Sequence, residues 1–157
     1  MSGQVYLTRD GYNKLVSQLE FLKTTERQRI AKAIGEARAQ GDISENAEYD
    51  AAKDAQGHNE ARIAELESRL VDVAFIEDMN IPSDKIFIGA KIRLKDLDTN
   101  QEIPYMLVSP EEADFGKDRL SVFSPIGQGL LKHKVGDEVS ITVPAGIKKF
   151  KVLDIKR

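Results

Sequence analysis

Gly41-Asp42-Ile43-Ser44-Glu45-Asn46-Ala47-Glu48-Tyr49 sets two carboxylates three residues apart. Two kinds of chemistry are open to Asp42 and Glu45. In the first, Asp42 caps a following helix and Glu45 reaches back from its first turn, a capping box in which an acid replaces Ser or Thr. In the second, the pair sits on an exposed turn and binds a hard cation or orients water. Mg²⁺ demands a near-octahedral set of oxygens, which two side chains on a bare turn do not supply. Such a metal must be completed by a partner or its substrate, so the turn would carry carboxylates into another molecule's active site. Around the pair, Ser44 and Asn46 either orient the acids or bond the local backbone. Arg38 and Lys53 either steer phosphates or are solvated helix charges. Tyr49 is either a seam residue or a base-stacking platform.

The flanking elements must position this turn. Leu7-Thr8-Arg9-Asp10-Gly11-Tyr12 reads as a helix start, with Thr8 as cap, Asp10 in the positive first turn and Leu7 stapled against Tyr12. Apolar residues recur at Tyr12, Leu15, Leu19 and Leu22. The stripe breaks at Glu26 and resumes at Ile30, Ala33, Ile34 and Ala37. No proline interrupts 8–40, and Gly41 is a natural stop. Beyond the turn, Tyr49, Ala52, Gln56, Asn59, Ile63, Leu66, Leu70 and Val73 alternate in threes and fours, a heptad seam. A short connection makes the two helices antiparallel. Each arm has about 30 residues, or roughly 45 Å. The polar seam positions Gln56 and Asn59 predict weak packing towards the turn. A projecting rod with its tip at 41–46 is expected, against a hairpin folded flat as in a bundle.

Asn80-Ile81-Pro82-Ser83 reads as a linker, and the period then changes to two. Ala90, Ile92 and Leu94 alternate with Lys91, Arg93 and Lys95, and Asp98-Thr99-Asn100-Gln101 makes a turn. Ile103–Val108 returns as a strand, which Pro104 demotes to an edge or a strand start. Leu120–Phe123 is another strand. Val139, Ile141 and Val143 alternate before Pro144-Ala145-Gly146 turns into Phe150-Lys151-Val152. Ser124-Pro125-Ile126 reads as an N-cap with proline at the first helical position, and Gly127 and Gly129 keep that helix short. The fold class is therefore α+β. A helical hairpin over 1–78 and a linker over 79–84 precede a small, mostly antiparallel α+β domain over 85–157.

Composition narrows the function classes. The 157 residues carry 23 Lys+Arg against 26 Asp+Glu, a net charge of −3, which disfavours a free, sequence-independent grip on nucleic acid. The acids concentrate at Glu36, Asp42, Glu45, Glu48, Asp50 and Asp54, faced by only Arg38 and Lys53. With no cysteine, disulfides, thiolate metal sites and cysteine nucleophiles are excluded, and a cytoplasmic location fits. His58 and His133 are isolated and make no His-rich zinc site. Neither a signal peptide nor a membrane-spanning run is expected.

The helix start, Ala37-Arg38, the stretch from Gly41 to Lys53, Arg62-Ile63, Leu66-Glu67 and Ser124-Pro125-Ile126-Gly127-Gln128-Gly129-Leu130 together resemble the bacterial Gre transcript-cleavage factors. The resemblance is strongest to the GreA branch, because the tip reads Glu-Asn-Ala-Glu-Tyr and the arms lack a large basic patch. It implies an N-terminal coiled coil and a C-terminal FKBP-like domain. It also implies a partner, RNA polymerase, bound at its secondary channel, with the 3′ end of backtracked RNA inside the complex. Asp42 and Glu45 would help hold an Mg²⁺ shared with polymerase and position the attacking water, so that polymerase itself cuts the RNA. The chain would then be an accessory factor and not an enzyme, with no small-molecule substrate and no membrane. Ser44 and Asn46 would support the tip, Arg38 and Lys53 would steer RNA, and Ser124, Pro125 and Ile126 match the polymerase-docking region. The sequence departs from the family pattern at Asp50, where histidine is expected, and at Ile147-Lys148-Lys149, where acids are expected. Three rival readings are a Gre-like channel-binding inhibitor, a prolyl isomerase or chaperone, and a plain coiled-coil adaptor.

Overall fold

A computed structural model describes residues 3–42 and 46–156. Internal contacts divide the chain into two units, residues 1–4 with 10–73 and residues 5–9 with 74–157.

The first unit is a helical hairpin. Its first arm runs through α1 (Arg9–Phe21), a π-helical turn (Leu22–Glu26) and α2 (Arg27–Ala39). Its second arm is α3 (Ala47–Arg69). The first arm stops where expected. Gln40 and Gly41 donate back to Ala37 and Arg38 carbonyls, and Gly41 takes φ +119°, which favours glycine. Inward positions match the apolar stripes: Leu15, Ile30, Ile34 and Ala37 are buried, and so are Ala52, Asn59, Ile63 and Leu66. Cross-arm bonds pair rising with falling numbers, which makes the arms antiparallel. Asn46 meets Ala37, Arg27 meets Glu60 through two bonds of 2.9 and 2.7 Å, and Lys23 meets Glu67 at 3.5 Å. The Arg27 guanidinium holds the exposed Glu60 carboxyl below its ordinary range.

Three expectations for the hairpin are corrected. The second arm has 23 residues and ends at Arg69, short of the expected length. Val73 leaves the seam because Val73-Ala74-Phe75 forms a strand, β2, beside β1 (Val5–Leu7). Asn59 is also no weak point. It is 8% exposed, and its Nδ2 donates to the Leu22 carbonyl across the hairpin at 3.1 Å.

The second unit is an α+β domain. Its sheet has the order β5-β4-β3-β7-β6, with β3 (Lys91–Asp96), β4 (Glu102–Val108), β5 (Arg119–Ser121), β6 (Glu138–Val143) and β7 (Gly146–Lys156). All neighbours are antiparallel except β4 and β5, which run parallel. The alternation in β3 fixes its faces: Ile92 and Leu94 are buried while Lys91 and Arg93 are exposed. The core joins Ile86, Leu94, Leu107, Leu120, Leu130 and Val152.

Pro104 does not put β4 at an edge. β4 lies inside the sheet, and Pro104 sits opposite Arg93. The Leu107 amide bonds Ala90 on the β3 side, and the Met106 amide bonds Asp118 on the β5 side. By that alternation the ring nitrogen of Pro104 faces the β5 side, where pairing with β5 covers only Met106–Val108. No ladder hydrogen bond is lost there.

Helix α4 (Pro125–Leu130) begins as the sequence indicates. Ser124 Oγ accepts from the Gly127 amide at 3.0 Å and donates to the Ser121 carbonyl at 2.7 Å. Its glycines matter for closeness more than for helix length. A Cβ on Gly127 would lie 2.2 Å from the Ser121 carbonyl, and one on Gly129 would lie 2.6 Å from Ile141 Cγ1. Gly127→Ala is expected to lower stability by about 1–3 kcal/mol, seen as an earlier denaturant midpoint at unchanged slope.

Residues 5–9 are tied into this unit through carboxylates. Glu112, whose side chain is 3% exposed, accepts from the Thr8 amide at 2.7 Å, the Thr8 hydroxyl at 2.6 Å and Arg119 Nη1 at 3.1 Å. Glu77 accepts from the Arg9 amide at 3.1 and 3.0 Å. The Arg9 guanidinium bonds Asp78 at 2.6 Å and stacks 4.4 Å from the Phe75 ring centroid.

Candidate functional site

The hairpin turn joins Ala39 to Ala47. Ile43, Ser44 and Glu45 lie outside the described residues, so the geometry concerns Asp42 and the residues that frame the turn. Asp42 follows Gly41 and is exposed.

Asp42 is not the cap of α3. The N-cap is Asn46, in extended conformation (φ −93°, ψ 100°), whose Oδ1 accepts from the Glu48 and Tyr49 amides at 3.0 and 3.1 Å. Its Nδ2 donates to the Ala37 carbonyl in the last turn of α2 at 2.6 Å. One amide therefore satisfies free donors at the start of one helix and ties it to the end of the other, through a carbonyl that also accepts from the Gln40 amide. The capping-box reading of Asp42 and Glu45 is corrected on this ground: a four-atom amide sits where it reaches both helix ends, and the cap falls four residues after Asp42. Asn46→Ala is expected to cost about 1 kcal/mol, checked by a lower thermal midpoint and reduced helical circular dichroism.

Tyr49 is a seam residue, half-buried against Ile30, Ile34 and Ala52. Arg38 lies over its ring, with the guanidinium carbon 5.8 Å from the centroid. Lys53 is exposed and donates to Gln56 at 2.9 Å. Arg38 thus belongs with Asn46 and Tyr49 at the base of the turn, while Lys53 stands further down α3. Glu48 and Asp50 occupy the first turn of α3, where negative charge meets the positive helix end. Among the described residues, no three His, Asp or Glu side chains gather into a metal site.

The residues matching the docking motif lie in the other unit. Ser124 is engaged in capping and Ile126 packs on the core, which leaves Pro125 exposed. The neighbouring Phe123, which the sequence reading passed over, is 71% exposed. Its signal was a large apolar residue directly before a polar cap. At the divergent stretch Ile147 is 64% exposed, and Lys148 approaches buried Asp96 at 3.8 Å. His58 is exposed, and His133 Nδ1 lies 3.1 Å from Asp137 Oδ2. Hydrogen bonds hold the Asp137 carboxyl below its ordinary range, from the Lys134 amide first and then from the His133 side chain.

Comparison with known proteins covers both units. A family model described as transcription elongation factor, N-terminal, matches residues 5–74. One described as transcription elongation factor, GreA/GreB, C-term, matches residues 81–157. The chain is 48% identical over 156 residues to the transcription elongation factor GreA of Chloroherpeton thalassium, covering 99% of each. It is 46% identical over 157 residues to the GreA of Thermoanaerobacter pseudethanolicus, covering 100% of each. Among solved structures, GreA factor homolog 1 of Thermus thermophilus is 30% identical, with 99% and 100% of the two chains covered and a TM-score of 0.45. A GreA/GreB factor from Nitrosomonas europaea is 18% identical, with 98% and 99% covered and a TM-score of 0.42.

Proposed function

The chain belongs to the GreA/GreB transcription elongation factor family, and from that premise we propose that it rescues arrested RNA polymerase by stimulating cleavage of backtracked RNA. It is an accessory factor of the GreA type and not itself a nuclease. The hairpin enters the polymerase secondary channel from the cytoplasm and presents the turn to the extruded RNA 3′ end. The observation that carries this reading is Asp42, exposed beyond Gly41 on a turn whose capping is done by another residue, Asn46.

Carboxylates repel RNA phosphates unless a cation stands between them. Asp42 and Glu45 are hard oxygen donors of the class Mg²⁺ takes, and too few to hold it alone. They would complete the coordination of an Mg²⁺ shared with polymerase. Together with a metal of polymerase's own, such an ion would supply charge stabilisation for an in-line displacement, and Asp42 and Glu45 would furnish part of its shell. Asp42 and Glu45 would help hold the ion and orient the attacking water, and polymerase would perform the cut. An exposed Asp42 is what an oxygen donor needs to enter a foreign coordination sphere. Asn46 secures the base of the turn, and Ser44 supports the acids. Arg38 and Lys53 steer the RNA backbone. The domain over 85–157, FKBP-like by its resemblance, docks at the channel rim through Ser124, Pro125 and Ile126. Among the described residues no helix is long and apolar enough to cross a membrane.

The test is a stalled, backtracked polymerase supplied with this protein and Mg²⁺. Release of short 3′ RNA fragments well above the rate of polymerase alone is the expected result. Inhibition of synthesis without fragment release is the signature of a Gre-like channel blocker and would overturn the proposal.

A further inference from the structure

The two arms of the hairpin do not share one period. In the first arm Leu22, Glu26, Ile30 and Ile34 follow one another in steps of four, whereas α3 keeps the alternating three-four seam from Tyr49 to Leu70. Successive fours drift out of phase with a heptad partner. The drift falls on the π-helical turn Leu22–Glu26, which holds more residues per turn than an α-helix and so absorbs the surplus. Glu26, the polar step of that run, turns to its own helix and bonds Arg29. Thr24 Oγ1 donates to the Glu20 carbonyl at 2.8 Å, a back-bond that competes with the regular ladder.

Asn59 stands opposite this turn. It is buried in the seam, and its Nδ2 bonds the Leu22 carbonyl, the first of the π segment, at 3.1 Å. A buried apolar residue would add more stability at a seam position. A single buried asparagine specifies register, because in any other alignment it loses its partner. The exposed Arg27–Glu60 fork one residue further along α3 adds direction and little energy.

We infer that Asn59, docked on the π-helical turn, is a positioning residue that sets the register of the two arms and thereby where the turn presents Asp42. A slip of either arm by one helical turn moves one end of the 41–46 connection by roughly 5 Å along the axis. It also separates Asn46 from the Ala37 carbonyl. The inference rests on the proposed cleavage function for its consequence, but not for the register itself.

The absence of cysteine allows a clean test on the full chain. Spin labels at Gln28→Cys and His58→Cys, both exposed positions on opposite arms, report the alignment without polymerase. The wild-type seam is expected to give one narrow distance. Adding Asn59→Leu is expected to broaden it or add a second distance about 5 Å away, while the thermal midpoint holds or rises. In the backtracked-polymerase assay the same substitution, without labels, is expected to reduce fragment release on the order of a hundredfold at unchanged affinity for polymerase. A single wild-type distance in Asn59→Leu, or cleavage at the wild-type rate despite an altered distance, overturns the inference. Asn59→Ser, too short to reach Leu22, gives the same readings where the leucine variant does not fold. If wild type fails to stimulate cleavage, the functional reading falls and the distance measurement still decides the register.

Discussion

Asp42→Asn and Glu45→Gln, made singly, are each expected to reduce Mg²⁺-dependent RNA fragment release by on the order of a hundredfold or more. Each substitution keeps size and hydrogen-bonding shape and removes one negative oxygen donor. Affinity for polymerase is expected to stay near wild type. The capping of α3 rests on Asn46, and the residues proposed to dock, Ser124, Pro125 and Ile126, lie in the other unit. Raising the Mg²⁺ concentration should recover part of the loss, because the removed group contributes to a shared coordination shell. Wild-type cleavage by both variants would show that the turn does not supply the acids. A matching loss of binding would show that it acts as a docking element.

Glu112→Ala is expected to produce a large loss of stability, about 3–5 kcal/mol. The substitution leaves the Thr8 amide and hydroxyl without an acceptor in a site where the carboxylate is 3% exposed, and removes the partner of Arg119. Unpaired buried donors retain their full desolvation penalty. The thermal midpoint of the second unit should fall by roughly 12–40 °C, whereas that of Glu112→Gln, which keeps an acceptor oxygen, should fall by less. Calorimetry on the full chain distinguishes these outcomes. Equal midpoints for Glu112→Ala and wild type would mean that Thr8 finds its partners elsewhere.

Local patterns were the legible part of this chain. The three-four spacing from Tyr49 to Leu70 named the inward face of α3. Gly41 marked the end of the first arm, Ser124-Pro125 the start of α4, and the alternation at Lys91–Asp96 the faces of β3. Each depends on residues within a few positions of one another. The Glu112–Thr8 bond spans 104 positions, and nothing in either neighbourhood points to the other. The parallel pairing of β4 with β5 also depends on where distant segments meet. Pro104, read as marking an edge or a strand start, lies in the opening stretch of β4 that β5 does not pair: proline forbids one hydrogen bond, and only the extent of the neighbouring strand decides whether that bond was needed.

The candidate site was legible in composition and less so in geometry. Asp42 and Asn46 both suit an N-cap, and sequence alone favoured the one that opens an acidic capping box. Asn46 holds the position because an amide both donates and accepts, so it serves Ala37 and the α3 amides together, which a carboxylate cannot do. The interruption at Glu26 was visible as a gap in the stripe, but its resolution as a wider turn facing Asn59 needed the second arm in place.

The paired strands β1 and β2 bracket the hairpin, and their residues 5–9 and 74–75 belong to the second unit. The helical excursion is thus topologically an insertion, leaving and rejoining the second unit. Whole heptads could be added to or cut from both limbs in matched amounts without the strands registering the change. The length of the arms between the paired strands and the turn becomes a dimension that evolution or an engineer can adjust in increments of about 10 Å.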